Sequence, residues 1–311
     1  YEGLPGGAFE KMIHLALCND LSAVGRCSIA VQLPVLSALG IEASPLPTAV
    51  LSSHTGFLGA EAEGLSDFFQ RALSAWDRQG FRFDALLLGY LWDSGEAEAL
   101  LSYLREHPGT RCFLDPVMAD HGRWYQNMGE ERIPSMRALL KSSELAFPNL
   151  TEACFLGDFD YPSLSKALWE SGSSFDSGRK RAEELLRPLC EVLSPEGKGI
   201  IITGIEQEKS ILNAVYQKGE LTLLYGERVG EGRPGTGDLF SAIAAGSRLS
   251  GSSLIESAVL AADFIRRCIK CSEEGEEPPL RGVLFEELLR LGESGIRGDE
   301  RDGNDDNFKD Q

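Results

Sequence analysis

Four histidines and four methionines are all that 311 residues contain, and 30 basic side chains face 48 acidic ones, a net charge of −18. Such a surface repels nucleic-acid backbones and anionic lipid, so neither is expected as a partner. It does not exclude a phosphate held locally by a few backbone N–H groups. No apolar run approaches the roughly 18 residues a membrane-spanning helix needs; the longest, Ala85 to Trp92, is strand-sized. The first residues, YEGLPGGAFEK, contain no apolar signal core. His14, His54, His107 and His121 are too dispersed for a zinc site. GxxxxGK[ST], GxSxG and HExxH are all missing. The seven cysteines are scattered and odd in number, which fits reduced thiols in a cytoplasmic protein better than a disulfide framework. Cys268 and Cys271 form a lone CxxC with no second pair, which reads as helix packing.

What is present is an alternation of short apolar runs with helical patterns. Strands are expected at Met12–Leu17, Ala85–Leu88, Arg111–Leu114, Leu145–Phe147 and Gly199–Ile202, and helices at Arg26–Leu39, Glu96–Arg105, Ala182–Leu193, Thr236–Leu249, Ser253–Lys270 and Leu284–Leu291. Ile211–Gln217 and Leu221–Tyr225 read as a hairpin around Lys218-Gly219. The order implies an α/β fold with a mainly parallel sheet covered on both faces and an antiparallel addition at one edge. Residues 157–180 read as a surface excursion and Ser272–Pro279 as an acidic loop. No composition shift divides residues 12–292, which implies a single domain flanked by flexible tails at 1–11 and 293–311.

Four segments could carry chemistry. Gly235-Thr236-Gly237-Asp238 opens an apolar helix. Glycines admit a ligand close to the backbone, and a helix start offers unpaired N–H groups and the positive dipole end. Asp238 then either takes a proton from a substrate hydroxyl or simply caps the helix. Gly230, Gly232 and Gly235 also match G-x-G-x-x-G, but the following helix leads into another helix, so a dinucleotide site is not expected. Asp115–Gly122 (DPVMADHG) places two carboxylates past a strand end, suited to magnesium with nucleotide phosphates or to solvated loop acids. In Pro148–Glu152, Asn149 and Glu152 share a face three residues apart, so Glu152 is either a ligand for magnesium or its waters, or a first-turn dipole partner. Ser52–Phe57 places His54 among hydroxyl residues, either at a polar aromatic substrate or in a loop with satisfied hydrogen bonds.

In this order the motifs resemble the pyridoxal kinase family of the ribokinase superfamily. The segments that carry the resemblance are Asn19–Arg26 (NDLSAVGR), Thr48–Phe57 (TAVLSSHTGF), Gly89-Tyr90-Leu91, Asp115–Gly122, Pro148–Glu152, Ile202-Thr203-Gly204 and Gly235–Asp238. The resemblance implies a three-layer α/β/α sandwich. It also implies transfer of the γ-phosphoryl group of ATP to the 5′-hydroxyl of pyridoxal, pyridoxamine or pyridoxine, with magnesium, often potassium, and commonly a homodimer. By the same resemblance Asp238 is the base, and Gly235, Thr236 and Gly237 form the anion hole. Asp115, Asn149, Glu152, Thr203 and Gly204 serve the nucleotide, Asp115 and Glu152 also the metal. Asn19, His54, Thr55 and Tyr90 surround the vitamer ring, with Asn19 where many members carry Ser. The segment after Gly122 (RWYQNMGEER) falls where the family keeps a flap. Rival readings are a hydroxymethylpyrimidine kinase and a non-catalytic vitamer-binding protein on the same scaffold.

Overall fold

The computed structural model describes residues 12–171, 175–194, 196–208, 210–290 and 296. Both expected tails, apart from Ile296, lie outside the described residues, as does Leu291. The elements run β1 (Ile13–Ser22), α1 (Ser28–Ala38), β2 (Ile41–Leu51), β3 (Ala62–Gly64), α2 (Ser66–Gln79), β4 (Ala85–Leu88), α3 (Ser94–Glu106) and β5 (Arg111–Leu114). They continue with β6 (Ala119–Asp120), β7 (Arg123–Trp124), α4 (Ile133–Ser142), β8 (Leu145–Ala146), α5 (Leu150–Gly157), α6 (Tyr161–Ser171) and α7 (Phe175–Leu193). Last come β9 (Gly199–Glu206), β10 (Ser210–Gln217), β11 (Glu220–Glu227), α8 (Thr236–Leu249), α9 (Leu254–Glu274) and α10 (Glu286–Leu289).

Nine strands form one sheet in the order β11-β10-β9-β8-β5-β4-β1-β2-β3. The six from β9 to β2 pair in parallel; β10 and β11 close one edge antiparallel, and β3 closes the other. Alternate side chains of the central strands serve two cores, as strand periodicity requires. Leu15, Leu17 and Leu87 pack with α1, α8 and α9, while Ala16, Cys18, Leu86 and Leu88 pack with residues of α2 to α7. The three layers of the α/β/α fold follow directly.

Several expectations change. β1 runs five residues past Leu17, and α1 begins at Ser28 rather than Arg26. The left-handed backbone at Gly25 (φ 105°) and Ser28 (φ 54°) turns the chain between them and forbids an earlier start. β2 is not evident in the sequence because Pro45 and Pro47 interrupt it. Both prolines pair with β1, opposite Leu17 and Asn19, while β3 pairs only with Ala49–Leu51, so the other side of β2 at the prolines is an unpaired edge, where a missing N–H costs no ladder bond. α2 is likewise not foreseen; of its apolar residues only Phe69 and Leu73 are buried. Residues 157–180 are no excursion: α6 and the start of α7 occupy most of them, with Leu164 and Leu168 in the core. α9 extends through Glu274, so the acidic loop begins only at Gly275. A second antiparallel edge, β3, joins the hairpin edge that the sequence implied.

Leu87 lies fully buried in the central strand β4. Leu87→Ala is expected to destabilise the protein by about 2–5 kcal/mol through lost burial and the cavity left behind. Urea unfolding checks this; a midpoint like that of the parent chain would mean the cavity collapses at no cost.

Candidate active site

The parallel strands β1, β4, β5, β8 and β9 all end on one side, the side on which open α/β sheets bind ligands. Tyr90, Asp115 and Asn149 lie just past the ends of β4, β5 and β8, and Asn19 and Thr203 lie in the closing stretches of β1 and β9. α8 starts there too. Its N-cap, Gly235, has φ 81°, and a side chain at that position would collide with the Arg26 carbonyl oxygen. Only glycine satisfies both the backbone angle and the close approach. The cap position therefore offers no side chain, and no side-chain bond covers the first N–H groups of α8. These remain available to an anion, as the sequence proposed for Gly235, Thr236 and Gly237. Thr236 turns its hydroxyl back to the Arg233 carbonyl at 3.0 Å.

Asp238 sits in this first turn, and both its oxygens are held from outside the helix. Oδ1 accepts the Asn19 Nδ2 at 3.0 Å, and Oδ2 accepts the Ser28 backbone N–H at 2.7 Å. Burial raises its pKa to about 7; the Ser28 N–H bond opposes the shift, the Asp20 charge adds to it, and the Asn19 bond opposes it. Asp115 is buried across from the same turn, its Oδ2 3.9 Å from where a Cβ on Gly237 would stand. Burial and then the Asp238 charge push its proton affinity up.

Asn149 and Glu152 form a capping box at the start of α5. Asn149 Oδ1 accepts the Glu152 N–H, and Glu152 Oε2 accepts the Asn149 N–H, both at 3.0 Å. The other Glu152 oxygen accepts the N–H groups of Met118 (3.0 Å) and Ala119 (3.4 Å), and Asn149 Nδ2 donates to the Ala119 carbonyl at 2.8 Å. The box thus welds the Asp115–Asp120 segment to α5. Thr203 pairs with Asn149 as an isolated parallel bridge. Gly204 occupies a bulge at φ 63°, its N–H donated to the Asn213 side chain at 3.0 Å. Burial first, then Asp115, raises the Glu152 pKa; the Met118 and Asn149 N–H bonds oppose this. Among the described residues no cluster of three or more His, Cys, Asp or Glu is placed to hold a metal ion. Asp115 and Glu152 still suit magnesium that arrives with phosphate oxygens completing its shell. Both are buried acids whose mutual repulsion a cation relieves. Glu152 already accepts three N–H groups, which leaves Asp115 the freer carboxylate.

The substrate-side expectations divide. Asn19 has no hydrogen-bonding capacity left for a ring. Its Oδ1 accepts the N–H groups of Asp20 (2.9 Å) and Tyr90 (2.8 Å), while its Nδ2 donates to Gln32 (2.9 Å) and Asp238 (3.0 Å). It is a hub for Asp238 rather than a ring contact. His54 is also withdrawn: Nδ1 accepts the Gly56 N–H at 3.1 Å, which leaves Nε2 to donate to the Leu280 carbonyl at 2.6 Å. It clips the 52–57 loop to the 280 loop. Tyr90 is buried beside Ala49, Leu51, Trp92, Val117 and Met128, a small apolar cluster apart from the two main cores. Thr55 is half-buried in the turn that His54 anchors. Just before the expected flap, His121 (φ 48°) and Gly122 (φ 74°) form the tight turn joining β6 and β7, as two-residue hairpin loops with two positive φ angles do. The Gly122 N–H reaches Thr151 Oγ1 at 2.9 Å, and Trp124 packs on Phe155 with ring centroids 4.5 Å apart, so the base of this segment is anchored on α5. Ser28 and Gln32 escape a motif search because each works through a hydrogen bond to a residue distant in sequence, Asp238 and Ser241.

A family model for phosphomethylpyrimidine kinase matches residues 29–278. The chain belongs to this family. It is a kinase-type phosphotransferase of the ribokinase superfamily, and its resemblance to pyridoxal kinases holds among its relatives. A candidate pyridoxal kinase of Schizosaccharomyces pombe is 27% identical over 221 residues, 68% of this chain and 65% of that protein, so the match spans just under two thirds of the yeast relative. A pyridoxine/pyridoxal/pyridoxamine kinase of Bordetella pertussis is 24% identical over 249 residues, covering 76% of this chain and 82% of the relative. Among solved structures, a candidate phosphomethylpyrimidine kinase of Bacteroides thetaiotaomicron, crystallised with pyridoxal, superposes with TM-score 0.79 at 31% identity over 90% of this chain and 96% of its own. The pyridoxal kinase of Lactobacillus plantarum superposes with TM-score 0.78 at 25% identity over the same shares of the two chains.

Glu152→Gln tests the capping box. A glutamine has one acceptor oxygen where the carboxylate uses two, so a buried N–H would face an NH₂ group. The expected loss is about 1–3 kcal/mol, read as a lowered thermal midpoint. An unchanged midpoint would show that the box does not hold the segment.

Proposed function

We propose that this chain is an ATP-dependent kinase that phosphorylates the 5′-hydroxyl of pyridoxal, pyridoxamine or pyridoxine, its kinase domain spanning residues 12–292. The observation that carries the reading is the Asp238 carboxylate, held by Asn19 and Ser28 beside the uncapped N–H groups of α8. That arrangement joins a proton acceptor to an anion site, the two things phosphoryl transfer to an alcohol asks of a protein. The acceptor hydroxyl gives its proton to Asp238 as its oxygen attacks the γ-phosphorus, and the bond from that phosphorus to the β,γ-bridging oxygen breaks, releasing ADP with the electron pair. The N–H groups at Gly235–Gly237 take up the charge on the transferring oxygens. Asp115, with Glu152 behind it, would hold magnesium, which when bound neutralises charge on the ATP phosphates. Asn149 and Thr203 stand together on the nucleotide side. The apolar cluster around Tyr90 suits the face of a pyridine ring.

Pyridoxal in the Bacteroides neighbour and the vitamer kinase among the curated relatives support this acceptor class. ADP in the pyridoxal kinases of Leishmania donovani and Bacillus subtilis supports ATP as donor. The description of the family model favours a second reading, hydroxymethylpyrimidine kinase. An ATP-consumption assay over pyridoxal, pyridoxamine, pyridoxine and hydroxymethylpyrimidine separates them. A potassium requirement, a homodimer and a cytoplasmic location belong to the same proposal. Among the described residues no helix is long and apolar enough to cross a membrane.

Asp238→Asn keeps the shape but cannot take the proton. The expected fall in kcat is about 10²–10⁴-fold with nearly unchanged ATP and acceptor KM. Gly235 and not Asp238 is the N-cap of α8, so a role for Asp238 confined to the first turn of the helix predicts near-parental turnover instead. The pH profile has a definite sign. Asp238 accepts a proton only when ionised, and its pKa is raised to about 7, so turnover should climb as pH rises through about 7 and level off above it. A rate that falls across that interval would remove Asp238 as the base.

A further inference from the structure

Asp20 is a buried carboxylate with no ion-pair partner among the described residues. A buried charge without a cation is costly unless its hydrogen bonds are filled, and such a group calls for a reason. Its oxygens are both taken by hydroxyls: Oδ2 accepts Ser22 Oγ at 2.8 Å, and Oδ1 accepts a short hydrogen bond from Ser28 Oγ. Ser28 is the unusual partner. It sits at φ 54°, a left-handed conformation that costs a non-glycine residue of the order of 1 kcal/mol or more and persists only where the surroundings enforce it. The Ser28 hydroxyl is held in that conformation by its hydrogen bond to Asp20 Oδ1. What this backbone conformation achieves is the direction of the Ser28 N–H, which meets Asp238 Oδ2 at 2.7 Å. The opposite oxygen is fixed independently through Asn19, itself locked by Gln32, whose Nε2 reaches Ser241 on α8 at 3.2 Å.

We propose that Asp20 is a positioning residue for phosphoryl transfer: it holds Ser28 in the left-handed conformation, and the Ser28 N–H in turn aims the Asp238 carboxylate at the acceptor hydroxyl. The inference rests on the kinase reading above. Without the anchor Ser28 relaxes toward a negative φ, the chain enters α1 at another angle, and the N–H leaves the carboxylate. Displacements of about 1 Å at a reacting group can cost about 100-fold in rate.

The test compares Asp20→Ala, Asp20→Asn and the double variant Asp20→Ala/Ser28→Gly. Parent turnover with ATP and the three vitamers is measured first, and its absence overturns the kinase reading and this inference with it. With the parent active, Asp20→Ala is expected to lower kcat about 10- to 100-fold while KM for ATP and vitamer moves less than about threefold. Asp20→Asn keeps an acceptor for the Ser28 hydroxyl and should retain at least about tenfold more turnover than Asp20→Ala. The double variant decides the mechanism, because glycine adopts a positive φ without a side-chain anchor. It should recover most of the turnover that Asp20→Ala loses. If Asp20 serves only the fold, glycine at position 28 restores nothing and kcat follows the thermal midpoint. That result, or a kcat in folded Asp20→Ala equal to the parent's, overturns the proposal. Should Asp20→Ala not fold, the Asn variant carries the test: a kcat loss of tenfold or more with the Ser28 acceptor kept overturns the proposal, and a smaller loss supports it.

Discussion

One carboxylate, that of Asp238, is fixed by groups that do not belong to its own helix. Asn19 at the end of β1 takes one oxygen and Ser28 at the start of α1 takes the other. The same short stretch of chain brings the Arg26 carbonyl against Gly235, where no side chain would fit. The place where α8 begins, the exposure of its first N–H groups and the direction of its acid are therefore set by the ten residues 19–28. The central strands supply the frame, since β1 lies between β2 and β4 and cannot shift without disturbing both. A further brace comes from Gly282, which packs on Arg26, while Arg26 itself pairs with Glu277 and Glu286. The loop after α9 thus backs the turn on which the start of α8 rests.

Four acids, Asp20, Asp115, Asp238 and Glu152, lie close to this side of the sheet in a protein that already carries a charge of −18. Among the described residues, the hydrogen-bond partners of Asp20, Asp238 and Glu152 are backbone N–H groups, serine hydroxyls and one amide, with no cation among them. N–H groups and hydroxyls hold an acid in place without cancelling its charge. That suits a site where a carboxylate must remain a proton acceptor. It also sets the division of labour: Glu152, saturated by N–H groups, organises the Asp115–Asp120 segment, whereas Asp115 and Asp238 face each other across the first turn of α8. The capping box of Asn149 and Glu152 also reaches across to the backbone of Met118 and Ala119, so one set of bonds both caps α5 and holds that segment.

The sequence alone determined what rests on local pattern. The alternation of apolar strands with amphipathic helices dictates a parallel sheet with two covered faces, and the late hairpin dictates its antiparallel edge. Glycine followed by Thr236-Gly237-Asp238 and an apolar run marks the head of α8, and that helix has the bounds the periodicity implies. Asn149 and Glu152 show their pairing because three-residue spacing is a property of any helix start. β2 was hidden for a physical reason: whether prolines interrupt a strand depends on whether a neighbouring strand needs the N–H that proline lacks, and only the sheet order shows that the side of β2 away from β1 is unpaired at Pro45 and Pro47. The roles of single polar residues required the tertiary structure for the same reason. Asn19 and His54 sit inside motifs that suggest ligand contacts, yet their hydrogen bonds are consumed by Tyr90, Gln32 and Asp238 in one case and by Leu280 in the other. Asp20 lies within the Asn19–Arg26 segment and Ser28 just beyond it, yet neither shows in the sequence what it bonds to. A hydrogen bond between residues 19 and 238 leaves no trace in spacing, because what brings the two together is the packing of β1, α1 and α8 around a shared core.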